Sequence, residues 1–166
     1  MRYVKWIFAV LLVVSLTAFV DNNINHEGLE KGDVAPDFKI NTTSNGERTL
    51  NLTGLKGHLV LISFWASYDA TSRMNNVKLS NALCGKNVEM VSVSFDSYPS
   101  IFKETVRTDR IKTSDCFLEP GGENSRLYKD YRLKRGFTNF LLDKNGVIIA
   151  KNITTHELSS IVKKLV

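Results

Sequence analysis

Apolar and polar positions follow two different periods along this chain. Residues 59–65 are almost continuously apolar, which is typical of a strand buried on both faces of a sheet. A helix is predicted over residues 69–83, and a second buried strand over residues 88–95. A strand, a helix and a strand in that order predict a parallel pair joined by a right-handed crossover. Further helices are predicted over residues 98–107 and 125–131.

Hairpin patterns flank this central unit. Residues 38–40 and 48–52 alternate in polarity around the turn-forming triplet Ser44-Asn45-Gly46. Residues 138–142 and 147–150 are predicted strands joined by a turn over residues 143–146. The last helix begins with a capping-box pattern from Thr154 to Glu157 and continues with apolar residues at helical spacing. These elements predict an α/β sandwich with a mixed central sheet, an N-terminal β-hairpin and helices on both faces.

The N-terminal segment has the layout of a secretory signal peptide. Residues 1–5 carry two positive charges, and residues 6–20 are apolar except for Ser15 and Thr17. The run is shorter than the roughly 20 residues of a membrane-spanning helix, but no A-x-A cleavage signal lies near its end. We therefore expect a signal peptide or an uncleaved membrane anchor over residues 1–20, a linker over residues 21–31 and a domain over residues 32–166. This organisation predicts a periplasmic or cell-envelope protein, which is tethered if the segment is not cleaved.

Composition excludes several classes of function. Hydrophobic residues make up 43% and charged residues 23% of the 166 positions, as in ordinary globular proteins. The net charge is +5, and part of it comes from Arg2 and Lys5 in the N-terminal segment. The rest is scattered, so no nucleic-acid surface is predicted. The three histidines, His26, His58 and His156, are isolated from one another, and we expect neither a metal centre nor a cofactor.

Four segments carry a family resemblance. The first, Gly32 to Phe38, resembles the G-x-x-A-P-x-F opening of redoxins. The others are residues 59–68, which resemble the strand leading into a redoxin active site, residues 91–96, which resemble the next strand, and residues 140–148, which resemble an F-L-I-D-x-x-G-x-I hairpin. With these segments in order, the chain is identified as a member of the TlpA/ResA-type thiol-disulfide oxidoreductases of the thioredoxin-like superfamily. The resemblance implies a thioredoxin-like fold and an exported or membrane-tethered protein.

The chain departs from this family at the reactive positions. The family has W-C-x-x-C at the start of its first long helix, where the helix N-terminus stabilises a thiolate. Here Asp69 and Ser72 stand at the two cysteine positions, and Asn75 stands where the family commonly has an acidic residue. Phe137 replaces a cis-proline, and we expect a trans bond there because a cis bond before a non-proline residue costs about 2.5–4 kcal/mol. The resemblance therefore implies a degenerate active site.

Three interpretations of Asp69 remain open. It can be a structural N-cap of the helix, a ligand-facing residue together with Ser72 and Arg73, or part of a new catalytic site. Phe64 and Trp65 are expected in the core, with Trp65 also lining part of the former active-site groove. The predicted binding groove consists of Trp65, Tyr68, Asp69, Ser72, Arg73 and Phe137.

The two cysteines, Cys84 and Cys116, lie far from the expected reactive positions. Cys84 is predicted at the end of the first long helix and Cys116 in a loop. They can form a structural disulfide, remain as two buried thiols or act as a displaced redox pair. Two functions follow: a redox-inactive protein that binds a polypeptide or scaffolds an assembly in the cell envelope, or an oxidoreductase that uses Cys84 and Cys116. The expected partner is an envelope protein or peptide.

Overall fold

The first two strands form the predicted hairpin. The structure is a computed structural model that describes residues 26–42, 48–112 and 115–165. Strand β1 (Lys39–Thr42) pairs antiparallel with β2 (Arg48–Asn51). A 3-10 segment, Leu52–Leu55, follows directly. The triplet predicted to form the turn lies outside the described residues.

Five further strands form the central sheet. They are β3 (Val60–Trp65), β4 (Glu89–Ser94), β5 (Cys116–Leu118), β6 (Asn139–Leu142) and β7 (Ile148–Lys151). Their spatial order is β5, β4, β3, β6, β7. The pairs β3–β4 and β4–β5 are parallel, whereas β3–β6 and β6–β7 are antiparallel. The predicted mixed sheet with a parallel pair and a closing hairpin is confirmed.

The expectation that Cys116 lies in a loop is wrong. Cys116 begins β5, where it is paired with Ser92 of β4, and Leu118 is paired with Ser94. The strand has three residues, all buried. Such a short strand is formed by pairing with β4 rather than by its own sequence pattern.

Among the described residues, four α-helices connect and cover the strands. They are α1 (Ala70–Leu83), α2 (Pro99–Thr108), α3 (Arg126–Asp130) and α4 (Thr155–Leu165). Two more 3-10 segments, Gly122–Asn124 and Leu133–Arg135, flank α3. Side-chain caps explain why the predicted helix starts agree with the structure. At the start of α3, Ser125 Oγ accepts from the N–H of Tyr128 at 3.1 Å. At the start of α4, Glu157 Oε2 accepts from the N–H of Thr154 at 2.8 Å, as the capping-box pattern predicted.

Alternate residues of the sheet face two different layers. On one face, the side chains of Ile62 and Phe64 pack with the β1–β2 hairpin and with α3. On the opposite face, Leu61 packs against α1 and α4, and Trp65 packs against α2. The sandwich with helices on both faces is therefore confirmed.

The chain from His26 to Val34 lies against the sheet. Val34 forms isolated bridges with Glu27 and Val147, and the N–H of Gly32 donates to the carbonyl of Ile148 at 2.9 Å. Part of the segment expected to be a linker thus contacts the domain. The expected signal peptide or anchor over residues 1–20 lies outside the described residues. Within the described ranges, no helix combines the length and the apolar character that crossing a bilayer requires.

Candidate functional site

The candidate site lies where β3 leads into α1. Asp69 has extended backbone dihedrals and is the N-cap of α1. Its carboxylate Oδ1 accepts a hydrogen bond from the backbone N–H of Ser72 at 2.7 Å. This contact satisfies one of the four N–H groups that a helix start leaves without an intrahelical partner. The capping interpretation of Asp69 is thus realised in the structure.

Ser72 faces inward, at the position expected for the second cysteine. Only 7% of the residue is exposed. Its hydroxyl donates to the carbonyl of Asp69 at 3.2 Å and accepts from the N–H of Ala66 at 3.4 Å. Ser72 therefore holds the β3–α1 connection together and is not presented to a ligand.

A buried carboxylate that the sequence analysis did not single out supports the same connection. Asp96 follows β4 and is 3% exposed. One carboxylate oxygen accepts from the N–H of Ser67 at 2.9 Å and from its hydroxyl at 2.6 Å. The other accepts from the hydroxyl of Ser94 at 2.7 Å. Asp96 thereby ties the loop before Asp69 to the end of the neighbouring strand, and these charge-assisted bonds offset the cost of its burial.

Arg73 is engaged in an ion pair between two helices. Its Nε and its Nη2 atom each donate to one oxygen of Asp109 at 2.7 Å. The side chains of Arg73 and Asp109 are 34% and 12% exposed. Hydrogen bonding to Asp109 raises the pKa of Arg73. Asp109, at the C-terminal cap of α2, was not predicted as a site residue, because nothing in its local sequence indicates a partner in α1.

Trp65 does not line the groove, so this part of the predicted groove is wrong. The residue is fully buried, because α2 covers it with Phe102 and Val106. Its indole N–H donates to Ser92 Oγ at 2.8 Å, and that hydroxyl donates to Asn76 Oδ1 at 3.0 Å. The expectation that Phe64 and Trp65 belong to the core is confirmed.

Two aromatic residues of the predicted groove do lie together at the surface. Tyr68 is 63% exposed, and its ring centroid lies 6.3 Å from that of the half-buried Phe137. Phe137 stacks on the buried Phe95 at 5.8 Å and meets Tyr128 edge-on at 6.4 Å. The peptide bond before Phe137 is trans, as expected for a residue other than proline. Asn75 is exposed, whereas Ser72 and Asn76 lie on the buried face of α1.

The two cysteines are separate from the site and from each other. Cys84 is exposed and is the C-cap of α1, whereas Cys116 is 4% exposed and packs with Trp65 beneath α2. No bond joins their sulfur atoms, both of which belong to described residues. The structure therefore contains neither the disulfide that was one of the three expectations nor two buried thiols, since Cys84 is exposed.

Acidic, histidine and cysteine side chains are the usual metal ligands in proteins. Within residues 26–42, 48–112 and 115–165, no group of three or more of these side chains could hold a metal ion.

The groups that meet at the site are a capped helix start, a buried carboxylate and an exposed aromatic pair. This arrangement offers contacts to a ligand, but it places no sulfur at the start of α1.

Known proteins with this architecture resemble the chain over most of its length. A thioredoxin-like protein of Parabacteroides distasonis is 38% identical, with a TM-score of 0.69; the match covers 82% of this chain and 96% of that structure. The chain belongs to the thioredoxin-like family. The thioredoxin-like protein YneN of Bacillus subtilis is 28% identical, over 97% of this chain and 96% of YneN. The thiol-disulfide oxidoreductase ResA of Oceanobacillus iheyensis is 26% identical, over 86% of this chain and 75% of ResA.

These likenesses confirm the predicted relationship to thiol-disulfide oxidoreductases of the thioredoxin-like family. No protein-family model matches the chain. Some of these relatives are named as oxidoreductases. Whether this chain shares their chemistry depends on its own residues at the start of α1.

Proposed function

We propose that this chain is a thioredoxin-fold protein that binds a polypeptide in the cell envelope and does not exchange disulfides. The observation that carries the proposal is the capping bond from the N–H of Ser72 to the carboxylate of Asp69 at 2.7 Å. A reactive thiolate at a helix start depends on such N–H groups for its stability. Here a carboxylate takes that place, and neither it nor the buried hydroxyl of Ser72 can perform thiol–disulfide exchange.

Polypeptide binding is supported by the exposed aromatic surface beside the helix start. Tyr68 is 63% exposed and contacts Phe137, whose ring is supported from below by Phe95. Aromatic side chains held in place by a core are common anchors in protein interfaces, because they bury a large area at a small entropic cost. The loop carrying Tyr68 is further held by the bonds from Ser67 to Asp96.

Location in the envelope is supported by the amino-acid sequence of residues 1–20, with its basic start and apolar run. A fusion of residues 1–25 to a reporter that is active only after export tests this part. We expect an active reporter, and a reporter that stays inactive would contradict export.

The absence of disulfide exchange is tested by an insulin-reduction assay. The unaltered chain should show no rate above buffer. A variant with Cys84→Ser and Cys116→Ser, together with Asp69→Cys and Ser72→Cys, should form a disulfide and gain weak activity. This gain is expected because the α1 start still supplies the N–H groups that stabilise a thiolate.

A matched control places the same spacing at another helix start. Thr154→Cys with Glu157→Cys puts a cysteine pair at the cap of α4, away from the aromatic surface. The start of α4 also supplies N–H groups, so this control should form a reactive pair as well, but it should reduce insulin more slowly than the pair at α1 because it lies away from the proposed binding surface. If the unaltered chain reduces insulin and Cys84→Ser abolishes the rate, the proposal is wrong and the displaced pair is the redox site.

The displaced pair is the weaker alternative. Cys84 lies at the C-terminal cap of α1, where the helix presents carbonyl groups instead of N–H donors. Cys116 is buried among apolar side chains. A redox-active pair needs an accessible attacking thiol and a second thiol that can reach it, and no bond joins these two sulfur atoms.

Polypeptide binding is tested with fluorescein-labelled, carboxymethylated insulin B chain as an unfolded probe, measured by fluorescence anisotropy. Tyr68→Ala should weaken binding. Tyr98→Ala is the matched control, because Tyr98 is 65% exposed yet has no ring contact with Phe137. Equal effects of the two substitutions would contradict a binding site at Tyr68.

A further inference from the structure

An aromatic and acidic patch surrounds the exposed ring of Tyr68. We define the patch by Tyr68, Glu123, Tyr128 and Phe137. The ring of Phe137 lies 6.3 Å from Tyr68 and 6.4 Å from Tyr128, and it links the two tyrosines. Tyr128 also meets the buried Phe95 edge-on at 5.3 Å. The patch therefore has a fixed aromatic base with one widely exposed ring, that of Tyr68.

Carboxylates act on the two tyrosine hydroxyls of the patch, while Arg132 and Arg135 line a cavity together with Phe137. Partial burial, followed by the negative charge of Glu123, raises the pKa of both tyrosine hydroxyls, Tyr68 and Tyr128. Tyr68 also senses the carboxylates of Asp96 and Asp69. The carboxylates that act on Tyr68 are thus Glu123, Asp96 and Asp69. At the exposed ring of Tyr68, these carboxylates repel an anion and attract a cation.

Glu123 is available to a partner. It lies in the 3-10 segment Gly122–Asn124, immediately before the Ser125 cap of α3, and it is exposed. Among the described side chains, no lysine or arginine forms an ion pair with it. Arg126, the nearest basic residue along the chain, donates instead to Asp130 at 3.1 Å. The carboxylate of Glu123 is therefore not neutralised within the described part of the domain.

We infer that this patch receives a lysine or arginine side chain of the bound polypeptide, with the cation over the ring of Tyr68 and paired with the carboxylate of Glu123. An exposed aromatic face attracts a cation within about 6 Å of its centroid. A neighbouring carboxylate adds a favourable ion pair and selects against acidic side chains. The inference rests on the proposed polypeptide binding and adds to it the chemistry of the partner.

The test uses three fluorescein-labelled peptides of one length that differ only in whether two positions are lysine, glutamine or glutamate. Binding to the full domain is measured by anisotropy and by amide NMR titration at low salt. The lysine peptide should bind most tightly and the glutamate peptide least. Glu123→Gln should weaken the lysine peptide about two- to fivefold and leave the glutamine peptide unchanged, as the strength of exposed cation–π and ion-pair contacts predicts. Added salt should reduce the difference between peptides.

Two matched variants separate this site from a general charge effect. Glu89→Gln removes the same charge at the first residue of β4, the end of that strand remote from Phe95, and should leave all three affinities unchanged. Tyr68→Leu should weaken the lysine peptide about two- to fivefold, whereas Tyr68→Phe, which keeps the ring, should not.

The outcomes distinguish the two proposals. Equal affinities for the lysine and glutamate peptides, or equal losses from Glu123→Gln and Glu89→Gln, would overturn the inference while leaving polypeptide binding intact. If none of the peptides nor the insulin B chain probe binds, polypeptide binding itself is wrong, and the inference is wrong with it.

Discussion

Replacing Asp69 with alanine should destabilise the domain by about 1–2 kcal/mol. The change removes the acceptor of the 2.7 Å bond from the N–H of Ser72 and a negative charge at the start of α1. An N-cap contributes about 1 kcal/mol, and a charge at a helix N-terminus adds about 0.3–1 kcal/mol. Ser72 is only 7% exposed, so water replaces the lost acceptor poorly and the loss should fall in the upper half of this range.

Two further substitutions at the same position separate the terms. Asp69→Asn keeps an acceptor and removes the charge, so it should cost only the dipole contribution of about 0.3–1 kcal/mol. Asp69→Ser keeps a good capping oxygen and should likewise cost little relative to alanine. The order of stability is therefore expected to be Asp, then Asn and Ser, then Ala.

Urea unfolding monitored by circular dichroism provides the measurement. The midpoint of the alanine variant should fall by about 0.5–1 M at an unchanged m-value of about 2 kcal/mol/M. Equal, large losses from alanine and serine would refute the capping argument and indicate a specific role for the carboxylate. No loss from any of the three would show that α1 does not depend on Asp69 for its start.

Three other experiments probe interactions beyond the capping bond. Burial, followed by the charge of a nearby aspartate, raises the pKa of Tyr131. The domain should therefore lose stability as the pH rises above about 10, where the unfolded tyrosine ionises and the buried one does not. Tyr131→Phe should flatten this loss in urea unfolding measured as a function of pH. A double-mutant cycle with Arg73→Ala and Asp109→Ala should give a coupling of about 1 kcal/mol, because solvent screens the one-third-exposed arginine, and a zero coupling would mean that the ion pair is not maintained in solution. Ser92→Ala should cost about 1–3 kcal/mol in thermal unfolding, since it leaves the buried indole N–H of Trp65 without its partner; an unchanged midpoint would contradict that bond.

Elements with local signals are predictable from the amino-acid sequence. The starts of α1, α3 and α4 depend on side-chain contacts between residues three positions apart, such as Asp69 with Ser72 and Ser125 with Tyr128. Both partners of such a contact stand in one short segment of sequence. The apolar run of β3 predicts a strand in the same local way. The fold class and the family resemblance follow from these local patterns and their order.

The composition of the site was predicted only in part. Asp69, Tyr68 and Phe137 were expected near one another because the family resemblance places their segments at the same edge of the fold, and the aromatic contact at 6.3 Å agrees. Glu123 was missed, because its segment has no motif of its own and reaches the patch only through the position of α3.

Tertiary structure alone decided the contacts between distant segments. Asp96 bonds to Ser67, 29 residues earlier, and Asp109 pairs with Arg73, 36 residues earlier. The sequence contains several donors that could bond to each of these carboxylates. Only the packing of the elements selects one of them. For the same reason, the sequence is compatible with Trp65 in the core and in the groove. The packing of α2 over its ring places it in the core. The amino-acid sequence determines the elements through short-range contacts, whereas the packing of the elements determines which side chains are buried and which remain exposed.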